Sequence, residues 1–310
     1  MKEGLTAESR SLHYCDLCGV KSGFINIIGN PNVGKSTLMN ALVGERLCST
    51  TAKAQTTRHR ILGIVNGPDH QMVFSDTPGI IEPAYSLQRK MMGFVSSALE
   101  DADILLYVVE PETRAIRDEK VLEKINDHPA PLLLLINKVD QTDQEKLEAL
   151  HAHWQSVHPR AEIIPISALH EFQTDYLLQR LIELLPEGPA YFDGETLTDR
   201  NERFFTSEII RENILQLYEQ EVPYSCEVEI ESFAEGAERH EIRAVIHVSR
   251  DSQKGILIGH QGKALRKLAE RSRKQLKVFL GKTVFLELYI KVSKDWRKSD
   301  RQLKRFGYNP

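Results

Sequence analysis

Gly29-Asn30-Pro31-Asn32-Val33-Gly34-Lys35-Ser36 is the stretch that decides the fold. It follows an apolar, β-branched run at 24–29 and opens a helix-period segment at Lys35. That strand-turn-helix setting turns a short glycine pattern into a phosphate loop. The glycines let backbone N–H groups turn inward on phosphates, and the helix N-terminus adds a positive field. Lys35 is expected to reach the β- and γ-phosphate oxygens, and the Ser36 hydroxyl to ligate Mg²⁺. With Thr37, the whole of 29–37 is assigned to the nucleotide.

Three further motifs follow in order, each at the end of a strand-like run. Asp76-Thr77-Pro78-Gly79 places a carboxylate where it can hold Mg²⁺ through water and a Gly79 N–H where it can face the γ-phosphate. Asn137-Lys138-Val139-Asp140 supplies a carboxylate able to accept from guanine N1–H and N2–H₂, which adenine cannot match. Sites built on such bonds reject analogues lacking the donors by about 10⁴–10⁵-fold. Ser167-Ala168-Leu169 would set the Ala168 N–H near guanine O6. Together these select GTP. Between them, Ala54-Gln55-Thr56-Thr57-Arg58 is a polar stretch in which a threonine can complete the Mg²⁺ shell; Thr57 is the first choice and Thr56 the alternative. The catalytic set is then Lys35, Thr57, Asp76 and Gly79, and the metal set Ser36, Thr57 and Asp76. Many GTPases carry a glutamine after the glycine of the third motif to orient water. Here the residue is Ile80, so slow intrinsic turnover is expected, and neither Arg58 nor Arg60 can be assigned as an arginine finger from sequence.

Around these motifs, strand-like runs at 24–29, 61–66, 72–75, 103–109, 132–137 and 162–166 alternate with helices beginning near Lys35, Ser86, Ile116, Asp143 and Thr174. Such alternation predicts an α/β fold with a mostly parallel six-stranded sheet. A Pro/Gly-rich break at 186–194 marks a linker. The order then changes to a helix near 199–218, strands at 225–232 and 241–249, a short helix, a long basic helix from Lys263 and a strand at 283–292, an α+β pattern. The expected division is an extension at 1–20, a nucleotide domain at 21–185, a linker at 186–198 and a second domain at 199–310. In the extension, Cys15 and Cys18 have half the spacing of a zinc site but no second pair, so no zinc is expected.

Bulk composition fits this division. The chain has 310 residues, 41% hydrophobic and 27% charged, room for about two domains. No apolar run approaches the ~20 residues of a membrane span, the N-terminal stretch lacks a signal-peptide core, and four cysteines suit a reducing cytosol. The net charge of −4 hides an asymmetry: 252–310 holds 16 Lys/Arg against 4 Asp/Glu, net +12, leaving −16 on the remainder. A basic C-terminal half implies a polyanionic partner.

That half contains a second glycine loop, Gly259-His260-Gln261-Gly262, without the lysine-serine ending a nucleoside triphosphate needs. It lies between two helices, with two strands before and one after. This is the order of a type II KH domain, whose Gly-x-x-Gly turn lets a single-stranded backbone approach closely. Lys254, Lys263, Arg266 and Lys267 could meet phosphates; Val248, Ile256 and Ile258 could form a groove for bases. His260 and Gln261 fill the turn.

From 23 to about 300 the chain resembles the Era family of bacterial GTPases with a C-terminal KH domain. The resemblance rests on the phosphate loop extended through Thr37-Leu38-Met39-Asn40, on Gln55-Thr56-Thr57-Arg58-His59-Arg60, on the aspartate and asparagine motifs, and on Gly259 to Leu265. The Gln55–Arg60 stretch discriminates best. The resemblance implies binding to the 3′ end of 16S rRNA, a role in assembling the 30S subunit, and a cytoplasmic monomer in peripheral contact with the inner membrane. It also implies a hydrophobic residue where Ile80 stands. Two rivals remain: an RNA chaperone holding GTP as a structural ligand, and a GTPase acting on a protein or membrane partner, its basic tail at 296–305 touching anionic lipid.

Overall fold

The run 104–109, apolar at every position, becomes a central strand buried along its whole length. The computed structural model describes residues 20–113 and 119–310. Expectations for Cys15, Cys18 and a helix start at Ile116 lie outside those residues. Strands β1 (Lys21–Gly29), β2 (Ile61–Asn66), β3 (His70–Asp76), β4 (Ile104–Val109), β5 (Leu132–Ile136) and β6 (Glu162–Pro165) form one sheet in the order β2-β3-β1-β4-β5-β6. Every pairing is parallel except that of β2 with β3. Helices α1 (Lys35–Val43), α2 (Ser86–Glu100), α3 (Glu119–Asp127), α4 (Gln144–Val157) and α5 (Thr174–Leu184) connect them. The sheet separates two apolar clusters, one around Leu38, Phe74 and Leu177, the other around Ile80, Tyr107 and Trp154. Burial on both faces explains why β4 and β5 read as continuous apolar runs rather than alternating ones. Chain order reverses across β1, and the phosphate loop lies at its carboxyl end, where sheets of this kind bind ligands.

The C-terminal part builds a second unit from α6 (Glu202–Leu217), β7 (Glu227–Ala234), β8 (Arg239–Val248), α7 (Asp251–Ile258), α8 (Lys263–Leu280), β9 (Thr283–Val292) and α9 (Asp300–Arg305). Its sheet runs β7-β8-β9, with β8 antiparallel to β7 and parallel to β9. In α8, Leu268, Ser272 and Leu276 are the buried positions. Spaced four apart, they form one stripe that faces the sheet and leaves the basic residues outward.

Two segments without a sheet of their own are bound into the fold. Residues 186–198 are not a free spacer: Ser22 N donates to Pro186 O at 3.0 Å, Ile64 N to Leu197 O at 2.8 Å, and Thr198 Oγ1 to Leu62 O at 2.6 Å. The open edge of β2 presents unpaired backbone groups, and the passing chain satisfies them. The basic tail is folded back as well. Trp296, Leu303 and Tyr308 are buried against Leu87, Met91 and Phe94 of α2, so its apolar residues face protein rather than lipid.

Candidate functional site

Gly34 has φ 97° and precedes α1 without a side chain to cap it, so the first-turn N–H groups of the helix stay open for an anion. A Cβ at Gly34 would sit 2.2 Å from Asn137 Nδ2, and one at Gly79 would sit 2.7 Å from Pro31 Cα. The strand ends after β1, β3 and β5 can therefore close on one another only with glycine at these positions. They enclose a cavity of about 430 Å³ whose lining includes Pro31, Gly34, Lys35, Thr37, Gly79 and Lys138. A larger cavity of about 630 Å³ lies between 45–49, α6 and α8. Its walls mix Phe205, Val278 and Phe279 with charges of both signs, Arg46 and Lys274 beside Glu208 and Glu212, and among the described residues no glycine loop or helix N-terminus opens into it.

At the head of α1 three oxygens from three segments meet. Ser36 Oγ donates to Asp76 Oδ2 at 2.7 Å, Thr57 Oγ1 donates to the same oxygen at 3.0 Å, and the two hydroxyls lie 2.8 Å apart. Hard oxygens so gathered suit a hard divalent cation, and the other carboxylate oxygen, Asp76 Oδ1, is buried without a hydrogen-bond partner. Thr56 points elsewhere, to Thr51 Oγ1 and Lys53 O, both at 2.6 Å. Lys35 Nζ donates to Gly29 O at 3.1 Å and Asn30 O at 2.9 Å. Burial pulls the Lys35 ammonium down to about 8 against the opposing pull of Asp76. Burial likewise pushes the Asp76 carboxyl up, opposed by Lys35. Both charges stand in a desolvated place, where added counter-charge would stabilise the ionised forms.

The base end is built around Asn137. Its Nδ2 donates to Val33 O at 2.8 Å and its Oδ1 accepts from Ala168 N at 2.9 Å. The Ala168 N–H, expected at guanine O6, is thus engaged by Asn137, and the amide ties the phosphate loop to the 167–169 turn. Asp140 Oδ1 accepts from Ser167 Oγ at 2.6 Å, and this bond holds the carboxyl below its ordinary value. Lys138 reaches Asn32 O at 2.7 Å and pairs with Glu110, a partner no motif announced. Thr77 is buried and donates to Ile27 O at 2.8 Å, so it fixes β3 to β1, while Pro78 is buried beside it. Ile80 is fully buried, packed in the cluster of Tyr107 and Trp154; its side chain leaves the cavity altogether. Neither arginine near Thr57 is an arginine finger: Arg58 is buried against Cys226 and Glu227, and Arg60 binds Ser75, Asn26 and Asp101.

The second loop has a different form. Gly259 adopts φ 67°, ψ −179°, and a Cβ there would lie 2.6 Å from the Ala264 Cβ. Gly262 has φ 76°, yet a Cβ there would meet nothing within 4 Å. His260, Gln261, Lys263 and Arg266 are exposed, and Lys254 and Ile258 are half-buried. Ile256 is also exposed. Val248 is not available to bases: it is fully buried in the core with Leu257 and Leu268. It continues the core side of β8 set by Ile242, Ala244 and Ile246, and Leu257 of α7 packs with it.

Comparison with known proteins agrees over both units. Residues 24–138 match the family model described as a 50S ribosome-binding GTPase, and residues 221–297 match that of the KH domain. GTPase Era of Geotalea daltonii is 44% identical over 289 residues, 93% of this chain and 97% of that protein. GTPase Era of Syntrophus aciditrophicus is 45% identical over 293 residues, 93% and 95% of the two chains. An Aquifex aeolicus Era variant bound to GDP and AlF₄⁻ superimposes with a TM-score of 0.90 at 36% identity, over 94% of this chain and 100% of that one. A structure of Era with MgGDPNP and nucleotides 1506–1542 of 16S ribosomal RNA matches with the same score, identity and coverage. With identity and shape agreeing over nearly its whole length, this chain, a P-loop GTPase fold followed by a KH domain, belongs to the Era family of GTPases.

Proposed function

We propose that this chain hydrolyses GTP to GDP and phosphate in the cavity at the head of α1 and binds single-stranded RNA at the loop before α8. The RNA is the 3′ end of 16S rRNA, and the setting is assembly of the 30S subunit. Residues 21–185 then act as the nucleotide unit and 199–310 as the RNA unit. The observation that carries the nucleotide half is the convergence of Ser36, Thr57 and Asp76 oxygens beside Lys35. These three residues would hold Mg²⁺, which when bound neutralises charge on the phosphate oxygens. Lys35 and the first-turn N–H groups of α1 orient the triphosphate, and the Gly79 N–H faces its end. Asp140, held by Ser167, selects guanine. With Ile80 turned into the core, no side chain at that position orients water, so intrinsic turnover is slow.

The RNA half is supported by the exposed basic residues around Gly259–Gly262 and by the Era structure that contains 16S rRNA nucleotides. The docked tail leaves its apolar residues unable to enter a bilayer, and among the described residues no helix is long and apolar enough to cross one. The basic surface is assigned to RNA, and peripheral contact of the chain with the cytoplasmic face of the inner membrane is kept as part of the proposal. The test is hydrolysis of GTP, ATP and XTP with and without a 3′-terminal 16S oligonucleotide. Preference for GTP, with binding of that RNA, is expected; equal use of ATP, or no RNA binding, would overturn the corresponding half.

A further inference from the structure

We infer that Tyr308 and Glu227 are positioning residues for Thr57, acting through Arg58, so that the C-terminal turn sets the geometry of the nucleotide site. The inference rests on the reading of Thr57 as a ligand to the metal at the triphosphate.

Thr57 and Arg58 are neighbours whose side chains go to different units. The Thr57 hydroxyl joins Asp76 and Ser36, whereas the Arg58 guanidinium is fully buried against the start of β7. There Arg58 Nη1 donates to Cys226 O at 2.7 Å and to Glu227 Oε2 at 3.1 Å, and Nη2 donates to Pro223 O at 3.3 Å. Glu227 Oε2 also accepts from the Tyr308 hydroxyl at 2.6 Å. The Tyr308 ring stacks on His59, centroids 4.3 Å apart and planes 20° apart. Residues 57 to 59 are thus gripped from the nucleotide side by one residue and from the C-terminal side by the next two.

The same segment is held from a second direction. Arg211 of α6 donates to Thr56 O, and Lys53 donates to Tyr218 O. Because consecutive Cα atoms are about 3.8 Å apart on a trans backbone, Thr57 cannot leave Asp76 without dragging Arg58. A buried guanidinium whose bonds are broken is strongly disfavoured, so the grip resists displacement of Arg58 and with it of Thr57. Tyr308 belongs to a turn closed by Tyr308 N on Leu303 O at 3.0 Å and seated on α2. It therefore ties α2 of the nucleotide unit to Glu227 at the start of β7, and both to Arg58, the neighbour of Thr57.

Tyr308→Phe removes the hydroxyl and keeps the ring on His59; Glu227→Gln keeps the shape and removes the charge. Full-length protein with Mg²⁺ and a non-hydrolysable GTP analogue is followed by amide hydrogen exchange over 54–60. Affinity for a 3′-terminal 16S oligonucleotide is measured with the analogue and with GDP. Each substitution should speed exchange in 54–60 by about fivefold or more and bring the ratio of the two RNA affinities close to one, at unchanged GDP affinity. Combined, they should do little more than the stronger alone, because both act through Arg58. Unchanged exchange at 54–60, or effects that simply add, would overturn the inference. A merely structural role would lower the melting temperature equally with either nucleotide and leave the affinity ratio as it was, which would also overturn it. The exchange measurement needs no RNA. Failure of the wild type to bind RNA would therefore strike the proposed function alone, and exchange at 54–60 would still decide the latch.

Discussion

Asp140→Asn tests base selection through a bond already in place. Ser167 Oγ donates to Asp140 Oδ1 at 2.6 Å, which leaves Oδ2, with His170 Nε2 3.9 Å away, to accept from the base. In wild type that carboxylate would take both guanine donors, N1–H and N2–H₂. Asparagine offers one oxygen, and Ser167 competes for it, so an amide N–H₂ is left facing donors. Each hydrogen bond to a charged group is worth about 1.5–3 kcal/mol, so losing two costs about 3–6 kcal/mol, or about 10²–10⁴-fold in GTP affinity. Xanthine carries a carbonyl where guanine carries the amine, and the new amide can donate to it. The variant should therefore bind XTP better than GTP. Ser167→Ala is the companion: it frees the carboxylate to rotate without altering its charge, for a loss of about 0.5–1.5 kcal/mol. The assay is competitive titration of GTP, XTP and ATP against a fluorescent guanine nucleotide. GTP affinity within about threefold of wild type, roughly 0.7 kcal/mol, together with no gain for XTP, would show that Asp140 does not meet the base.

Three other outcomes are expected. Lys35→Ala should weaken GTP binding by more than about tenfold, or 1.4 kcal/mol, and lower the melting temperature without abolishing the fold, because the buried Asp76 carboxylate loses its counter-charge; calorimetric titration beside thermal melting checks both. Thr57→Ala should raise the Mg²⁺ concentration needed for half-maximal turnover. Thr56→Ala should leave it unchanged and cost only about 1 kcal/mol of stability through its bonds to Thr51 and Lys53. Gly262→Asp should still fold: its Cβ meets nothing within 4 Å, and the strain of a side chain at φ 76° is smaller for aspartate than for most residues. Its carboxylate should nonetheless cost about 2–4 kcal/mol of RNA affinity at low salt while GTP affinity stays put, as read from binding isotherms at two salt concentrations.

The nucleotide motifs were legible in sequence because each is a local turn between a strand and a helix. The chemistry of Lys35 or Asp140 follows from a few neighbouring residues. Thr57 was separable from Thr56 only by structure, since both lie in one aperiodic segment and differ in which way the backbone turns them. What pattern could not show was contact between distant segments. Arg58 meets Glu227 across 169 positions, and Tyr308 meets Glu227 across 81. Neither spacing has a local signature. The conformation of the basic tail could not be read for a related reason: Trp296, Leu303 and Tyr308, which dock it, meet residues of α2 about 200 positions away. At 186–198, proline and glycine correctly marked the end of periodicity but said nothing about the open β2 edge that binds the chain there. Val248 failed because it shares the side of β8 that Ile242, Ala244 and Ile246 turn to the core.

The most direct test is the single-turnover rate of GTP hydrolysis, measured with and without a saturating 3′-terminal 16S rRNA oligonucleotide, in wild type and in Gly262→Asp. Slow hydrolysis by the wild type, accelerated by this RNA but not by an unrelated one of equal length, is the predicted result. In Gly262→Asp the basal rate should persist and the acceleration should vanish at the same RNA concentration. A wild-type rate indifferent to RNA, or an acceleration that survives in Gly262→Asp, would contradict a protein in which one glycine loop holds a nucleotide and the other a polynucleotide that governs it.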